Sequence, residues 1–185
     1  MTPYHVIGFA GSLRRASYNR ALLRAAIELA PEQLQIQLHE ISEIPLYNQD
    51  VEDVQVPAAV VAFREAVRGA DALLIATPEY NHGVPGVLKN TIDWLSRPPR
   101  SSALDGKPVG LIGASPGITG TARSQSQLRQ AFVFTNSYAM PQPELLVGRA
   151  SEKFDEQGRL VDEATRKYLR RFLEQFVGWI GRFRT

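Results

Sequence analysis

Most of the chemistry visible in this chain of 185 residues sits in a run of nine: Gly11-Ser12-Leu13-Arg14-Arg15-Ala16-Ser17-Tyr18-Asn19. Ser12, Ser17 and Asn19 carry side-chain donors, and Arg14 carries a planar cation with forked N–H groups. An apolar run precedes the segment and a helical pattern follows it. Free backbone N–H groups and the helix dipole therefore attract an anion at the same place. Several neutral donors around one forked cation suit a terminal phosphate monoester, with its two charges and three free oxygens. Two commoner phosphate loops are excluded by spacing, because neither GxxxxGK[ST] nor GxGxxG occurs. The plainer alternative is that Ser17 or Asn19 only caps a helix, as both types readily do, and that the arginines are solvated.

Two further loops have unusual compositions. Thr77-Pro78-Glu79-Tyr80-Asn81-His82-Gly83-Val84-Pro85-Gly86 is stiffened by prolines and opened by glycines. Tyr80 offers a flat face with a polar tip, and Asn81 offers donors and an acceptor to the edge of a heterocycle. An ordinary strand-to-helix turn would read similarly. Ala114-Ser115-Pro116-Gly117-Ile118-Thr119-Gly120 is the third such loop. Glu79 has no partner carboxylate for acid–base work and is not taken as catalytic. His5, His39 and His82 are scattered, without the spacing of metal ligands. No nucleophile–base pair is visible, so the catalytic and metal-binding residue sets are expected to be empty. A phosphate loop without catalytic side chains is the expected form of an enzyme whose cofactor carries the chemistry.

The elements that hold these loops alternate. Strands are predicted at Tyr4 to Gly8, Leu34 to Leu38, Ala72 to Thr77, Pro108 to Gly113 and Glu144 to Val147. Helices are predicted at Asn19 to Ala30, Pro57 to Arg68, Val84 to Ser96, Arg123 to Phe134 and Asp162 to Arg184. Such alternation implies an α/β fold, one doubly wound parallel sheet with helices on both faces. Each unusual loop follows a predicted strand, and open α/β sheets bind ligands beyond the carboxyl ends of their strands. The three loops should therefore converge on one site.

Composition narrows the class. With 44% hydrophobic residues and a formal net charge of +2, the chain is neither disordered nor basic enough for a nucleic-acid partner. A sequence pI near 9.0 is a weak pointer to anionic ligands. The longest uncharged stretches, such as Pro108 to Ala122, are too short and too rich in glycine to span a membrane. No basic segment followed by an apolar one marks a secretory signal. The absence of cysteine excludes disulfides, thiol nucleophiles and iron–sulfur clusters and is compatible with a cytoplasmic setting. One domain is expected over residues 1–185.

Together the motifs carry a resemblance. Gly11-Ser12-Leu13-Arg14 with Ser17 and Asn19, Pro78-Glu79-Tyr80-Asn81, and Pro85-Gly86-Val87-Leu88-Lys89-Asn90 running into Ile92-Asp93-Trp94-Leu95-Ser96-Arg97-Pro98 resemble the NADPH-dependent FMN reductase family. This is the flavodoxin-like group that includes quinone, chromate and azo-compound reductases, and the likeness covers nearly the whole chain. It implies a flavodoxin-like five-stranded parallel sheet in the order 2-1-3-4-5. It also implies FMN, its phosphate met by Ser12, Arg14, Ser17, Tyr18 and Asn19. The ribityl chain and ring would lie along Pro78, Glu79, Tyr80 and Asn81, with Ser115 and Gly117 on the other side. By the same resemblance NADPH or NADH delivers hydride to flavin N5, and electrons pass to a quinone-like, azo, chromate or free flavin acceptor. Arg15 and Arg123 are candidates for the dinucleotide's phosphates or an anionic acceptor. Some relatives carry an aromatic residue where this chain has Ser126, a departure that bears on acceptor choice. A non-enzymatic flavodoxin-type electron carrier is the alternative, although such carriers are usually strongly acidic. A homodimer or homotetramer is expected, with Trp94-Leu95-Ser96-Arg97-Pro98-Pro99 supplying residue types that interfaces favour.

Overall fold

The central strands are near-continuous apolar runs, and the two faces of the sheet receive alternate members. Val6, Leu74 and Ile112 join one core with helices α1 (Tyr18–Glu28) and α6 (Glu163–Gly181). Ile7, Phe9, Leu73, Ile75 and Leu111 join the other with α3 (Ala58–Gly69), α4 (Gly86–Leu95) and α5 (Ala122–Phe134). The computed structural model describes residues 2–99 and 101–183. Among them β1 (Tyr4–Ala10), β2 (Leu34–Leu38), β3 (Ala72–Ala76) and β4 (Pro108–Ala114) pair in parallel, in the order β2-β1-β3-β4. β3 and β4 are buried along their whole length, as expected of strands covered on both sides.

Two short strands share the fifth position. β5 (Tyr138–Ala139) pairs with Pro108 and Val109, and β6 (Leu145–Val147) pairs with Ile112 to Ala114. The expected strand at 144–147 is β6; two-residue β5 is too short to show any alternation. α2 (Gln49–Val54) was not expected either. It buries none of its residues, so its sequence has no apolar stripe. The other helices match their expected positions to within a few residues. Arg184, the expected end of α6, lies outside the described residues.

Trp94 corrects an expectation. Only 1% of it is exposed, its indole N–H donates to Pro45 O at 2.8 Å, and Tyr47 meets its ring edge-on at 4.9 Å. The segment between β2 and α3 covers α4 here. Glu52 of that segment binds Arg64 at 2.9 Å and Arg97 at 3.0 Å and accepts from Tyr47 Oη at 3.1 Å. Trp94 is thus part of the protomer's own core and offers no surface to a second copy.

Candidate functional site

β1 leaves the sheet close to α4. Gly11 N donates to Ala76 O, and a Cβ on Gly11 would stand 2.8 Å from the Leu88 side chain, so glycine is what lets the chain turn there. Ser17 then takes extended angles and caps α1, its Oγ accepting from Asn19 N at 3.2 Å and Arg20 N at 3.4 Å. Asn19 is 2% exposed. Its Nδ2 donates to Ala114 O and its Oδ1 accepts from Ala114 N, both at 2.9 Å. Sequence reading took Asn19 as a phosphate donor. Its first role is to tie the start of α1 to the end of β4, which leaves one amide hydrogen.

Between these anchors the loop's own donors are open. The backbone N–H groups of Ser12, Leu13, Arg15, Ala16, Ser17 and Tyr18 find no acceptor among the described residues. Arg14 N reaches Ser12 Oγ at 3.4 Å, and Ser12 Oγ lies 3.4 Å from Tyr80 Oη across the site. The Arg14 guanidinium folds along the loop, donating to Ala16 O at 2.6 Å and standing 5.8 Å from the centre of the Tyr18 ring. Unpaired N–H groups beside a cation form a cradle for a dianion.

The second loop is closed on itself and on its neighbours. Tyr80 and Gly83 exchange backbone hydrogen bonds of 3.2 and 3.0 Å around Asn81 (φ 51°) and His82 (φ 62°), a type I′ turn. The Glu79 carboxylate accepts from Arg123 N at 2.9 Å, Ser124 N at 3.2 Å and Arg123 Nη1 at 3.0 Å. It caps α5 from outside, where Thr121 makes no side-chain cap. Burial alone would raise the Glu79 carboxyl. The Ser124 N–H and the guanidinium and N–H of Arg123 more than offset that and hold it below its ordinary value. Val84 N donates to Gln127 Oε1 at 2.7 Å, and Thr77 Oγ1 lies 2.7 Å from Ser124 Oγ. The close seat of α5 also requires Gly113, whose absent Cβ would overlap Thr121 Oγ1 and crowd Thr77 O.

These segments enclose a cleft of about 90 Å³. Ser12, Arg14, Ser17, Tyr18 and Asn19 line one side, Pro78, Glu79 and Tyr80 a second, and Ala114, Ser115 and Pro116 a third. Asn81 and Gly117 lie outside this lining: Asn81 is exposed on its turn, and Gly117 N donates to Ser115 Oγ at 3.2 Å. Arg123, expected to be available to an anion, is committed to Glu79 and Thr119. Sequence reading missed Ser124 and Gln127, which hold the second loop. Both lie on the helix predicted at 123–134, and only the tertiary pairing reveals their role. A groove of about 510 Å³ along β6 and the start of α6 is larger, but none of the three loops lines it. No group of three His, Cys, Asp or Glu residues suited to a metal occurs among the described residues. No helix among them is long and apolar enough to cross a membrane.

The sheet order reverses between β1 and β3, and the cradle sits at that switch point. A parallel sheet of this order with a mononucleotide-sized phosphate cradle there defines a flavodoxin-like protein. The pattern of the NADPH-dependent FMN reductase family fits residues 4–152, and the chain belongs to that family. It is thus an oxidoreductase of the flavin-dependent, NAD(P)H-linked kind. It is 49% identical to an NAD(P)H-dependent FMN reductase of Pseudomonas aeruginosa, over 97% of this chain and 96% of that one. It is 42% identical to a quinone reductase of Escherichia coli K12, over 96% of this chain and 95% of that one. The fold of FerB, a flavoenzyme NAD(P)H:(acceptor) oxidoreductase from Paracoccus denitrificans, superposes with a TM-score of 0.89 at 35% identity, covering 97% of this chain and 98% of that one.

Proposed function

We propose that this protein reduces quinones with NAD(P)H, using FMN seated with its phosphate on the loop from Ser12 to Asn19. The observation that carries the reading is the set of N–H groups beside Arg14 that no acceptor among the described residues satisfies. The cleft of about 90 Å³ has room for a phosphate group. A flavin ring would lie at its open side, against Pro78 and Tyr80 with Ser115 opposite. Asn81 and Gly117, just outside the cleft, would meet the ring's edge. Bound FMN would supply a centre that takes a hydride from a reduced nicotinamide and returns two electrons to an acceptor.

The chain's own part is to bind and to orient. Arg14 and the free N–H groups hold two negative charges. Ser17 and Asn19 keep the cradle's shape by fixing the first turn of α1. Glu79 holds the second loop against α5. Because Glu79 is kept ionised by three donors, it is not placed to give a proton to a reduced acceptor. Relatives from Pseudomonas putida named quinone reductases, and one from Burkholderia named a 2-hydroxy-1,4-benzoquinone reductase, support a quinone as acceptor. Azo compounds, chromate and free flavin are further acceptors to assay.

The test is steady-state oxidation of NADPH or NADH with a quinone, both concentrations varied, on protein loaded with FMN. Donor and acceptor sharing one face of one cofactor should take turns, giving parallel double-reciprocal lines. Intersecting lines, or no saturable FMN binding in the micromolar range after stripping, would refute the reading. A homodimer or homotetramer in the cytoplasm is the proposed state. With Trp94 in the core, support for association comes from Val133 and Phe134, 82% and 92% exposed at the end of α5. A 20.5 kDa particle in light scattering at micromolar concentration would show a monomer.

A further inference from the structure

We propose that a groove beside the first loop is a second anion subsite, which takes a phosphate carried on adenosine. The proposal rests on the FMN reading above, because the phosphate loop forms one wall of the groove. The groove holds about 300 Å³ and runs from that loop and α1 to the turn at 155–158. Arg14, Ser17 and Tyr18 line both it and the FMN cleft, so the two spaces share a wall.

Charge decides what the groove can take. Arg15 and Arg24 line it, and neither guanidinium has a hydrogen-bond or ion-pair partner among the described residues. The facing Asp155 does not neutralise them. Its carboxylate accepts from Arg159 N at 2.8 Å and Arg159 Nε at 2.7 Å, which hold its carboxyl below the ordinary range. Glu156 is the remaining carboxylate on the lining, against Arg14, Arg15 and Arg24. Gly158, at φ +73°, leaves space for the Arg24 head group: a Cβ there would stand 3.0 Å from Arg24 Nη2. With Arg14 assigned to the FMN phosphate, Arg15 and Arg24 are two unpaired forks in a space larger than a lone phosphate needs.

An adenosine phosphate can arrive from two sources. One is the 2′-phosphoadenosine end of NADPH, the part that NADH lacks. The other is the adenosine monophosphate half of FAD, which would continue outward from the flavin phosphate. The experiment measures calorimetric binding of adenosine 2′,5′-bisphosphate and of 5′-AMP to the FMN-loaded protein, and of FAD to the stripped protein. Each is repeated with Arg24→Gln, a change at an exposed side chain.

If NADPH is the source, the bisphosphate binds about tenfold more tightly than 5′-AMP, and Arg24→Gln removes that advantage with FMN affinity unmoved. If FAD is the source, Arg24→Gln weakens FAD about tenfold and leaves FMN and the bisphosphate alone. Equal binding of bisphosphate and 5′-AMP, with no effect of Arg24→Gln on either the bisphosphate or FAD, overturns the proposal. Failure of the FMN reading shows separately, as absent FMN binding in the unsubstituted protein.

Discussion

The loops after β1 and β3 face each other across one cleft and are built in opposite ways. The first leaves six backbone N–H groups without an acceptor among the described residues and is anchored at its ends by Gly11, Ser17 and Asn19. The second closes on itself in a I′ turn and is bonded to α5 through Thr77, Glu79 and Val84. Open N–H groups bind a charged, freely rotating phosphate, which can meet donors from many directions. A planar ring instead needs a wall that does not move, and a wall is made by satisfying the loop's polar groups before the ligand arrives. The same cleft thus separates holding charge from fixing orientation.

The largest expected effect comes from removing the anchor that both halves share. Asn19→Ala would leave the buried N–H and C=O of Ala114 without partners. At about 1–3 kcal/mol for each of the two buried groups left unpaired, the loss of stability should be about 2–6 kcal/mol. Urea unfolding measures it through the midpoint at constant slope. A loss below about 0.5 kcal/mol, the ordinary range for a surface change, would mean that water replaces the amide and that Asn19 is no anchor.

Next is the charge-holding side. Arg14→Ala should weaken FMN by about 10- to 150-fold, the effect of a charge-assisted bond of roughly 1.5–3 kcal/mol. Arg14→Lys should recover only part, because an ammonium has no planar fork. Riboflavin lacks the phosphate and is the control: it should bind weakly and be nearly indifferent to Arg14→Ala. Equal weakening of riboflavin and FMN would place Arg14 among the shaping residues and erase the contrast between the loops.

The orienting side should respond differently. Glu79→Gln keeps an acceptor for α5 but loses the ion pair to Arg123, which is 46% exposed and therefore partly screened. The expected cost is about 1 kcal/mol in stability, with similar losses in riboflavin and FMN affinity. Its pH signature has a definite sign. The Glu79 carboxyl is held below its ordinary value, so the unfolded chain binds its proton more readily. The stabilisation is present above the ordinary carboxyl range, near 4.5, and fades as pH falls through the lower folded value. The difference in stability between the parent and Glu79→Gln should therefore shrink on acidification below that point. A constant difference would show that Glu79 titrates normally.

The two constructions also explain what was legible in the sequence. A cradle made of local donors, placed between a strand and the helix it caps, appears as one run of nine residues, and Ser12 to Asn19 could be read directly. The parallel sheet was legible for a similar reason, since buried strands and amphipathic helices alternate with their own periods; its strand order came with the family resemblance. The second loop's support comes from residues about 44 positions away, Arg123, Ser124 and Gln127, whose pairing leaves no local pattern. Trp94 misled because an indole suits an interface and a core equally. Its fate was decided by the segment carrying Pro45, Tyr47 and Glu52, whose short α2 has no apolar stripe to announce it.

The smallest effect is expected at Asn81, where the two roles of the second loop can be separated. Asn81 occupies a left-handed position of the I′ turn, a conformation that asparagine tolerates and glycine takes without strain. Its side chain makes no hydrogen bond among the described residues, so Asn81→Gly should leave stability within about 0.5 kcal/mol. Asn81→Ala keeps a Cβ and loses the amide, and should cost about 1 kcal/mol for the forced left-handed backbone. If the amide meets the ring's edge, both variants weaken FMN and riboflavin alike, by about 3- to 10-fold, the scale of one neutral hydrogen bond. Glycine, with its turn intact, isolates that contact from any distortion of the loop. Unchanged affinity of both flavins for Asn81→Gly would leave Asn81 with the turn alone, and the orienting surface would then end at Tyr80.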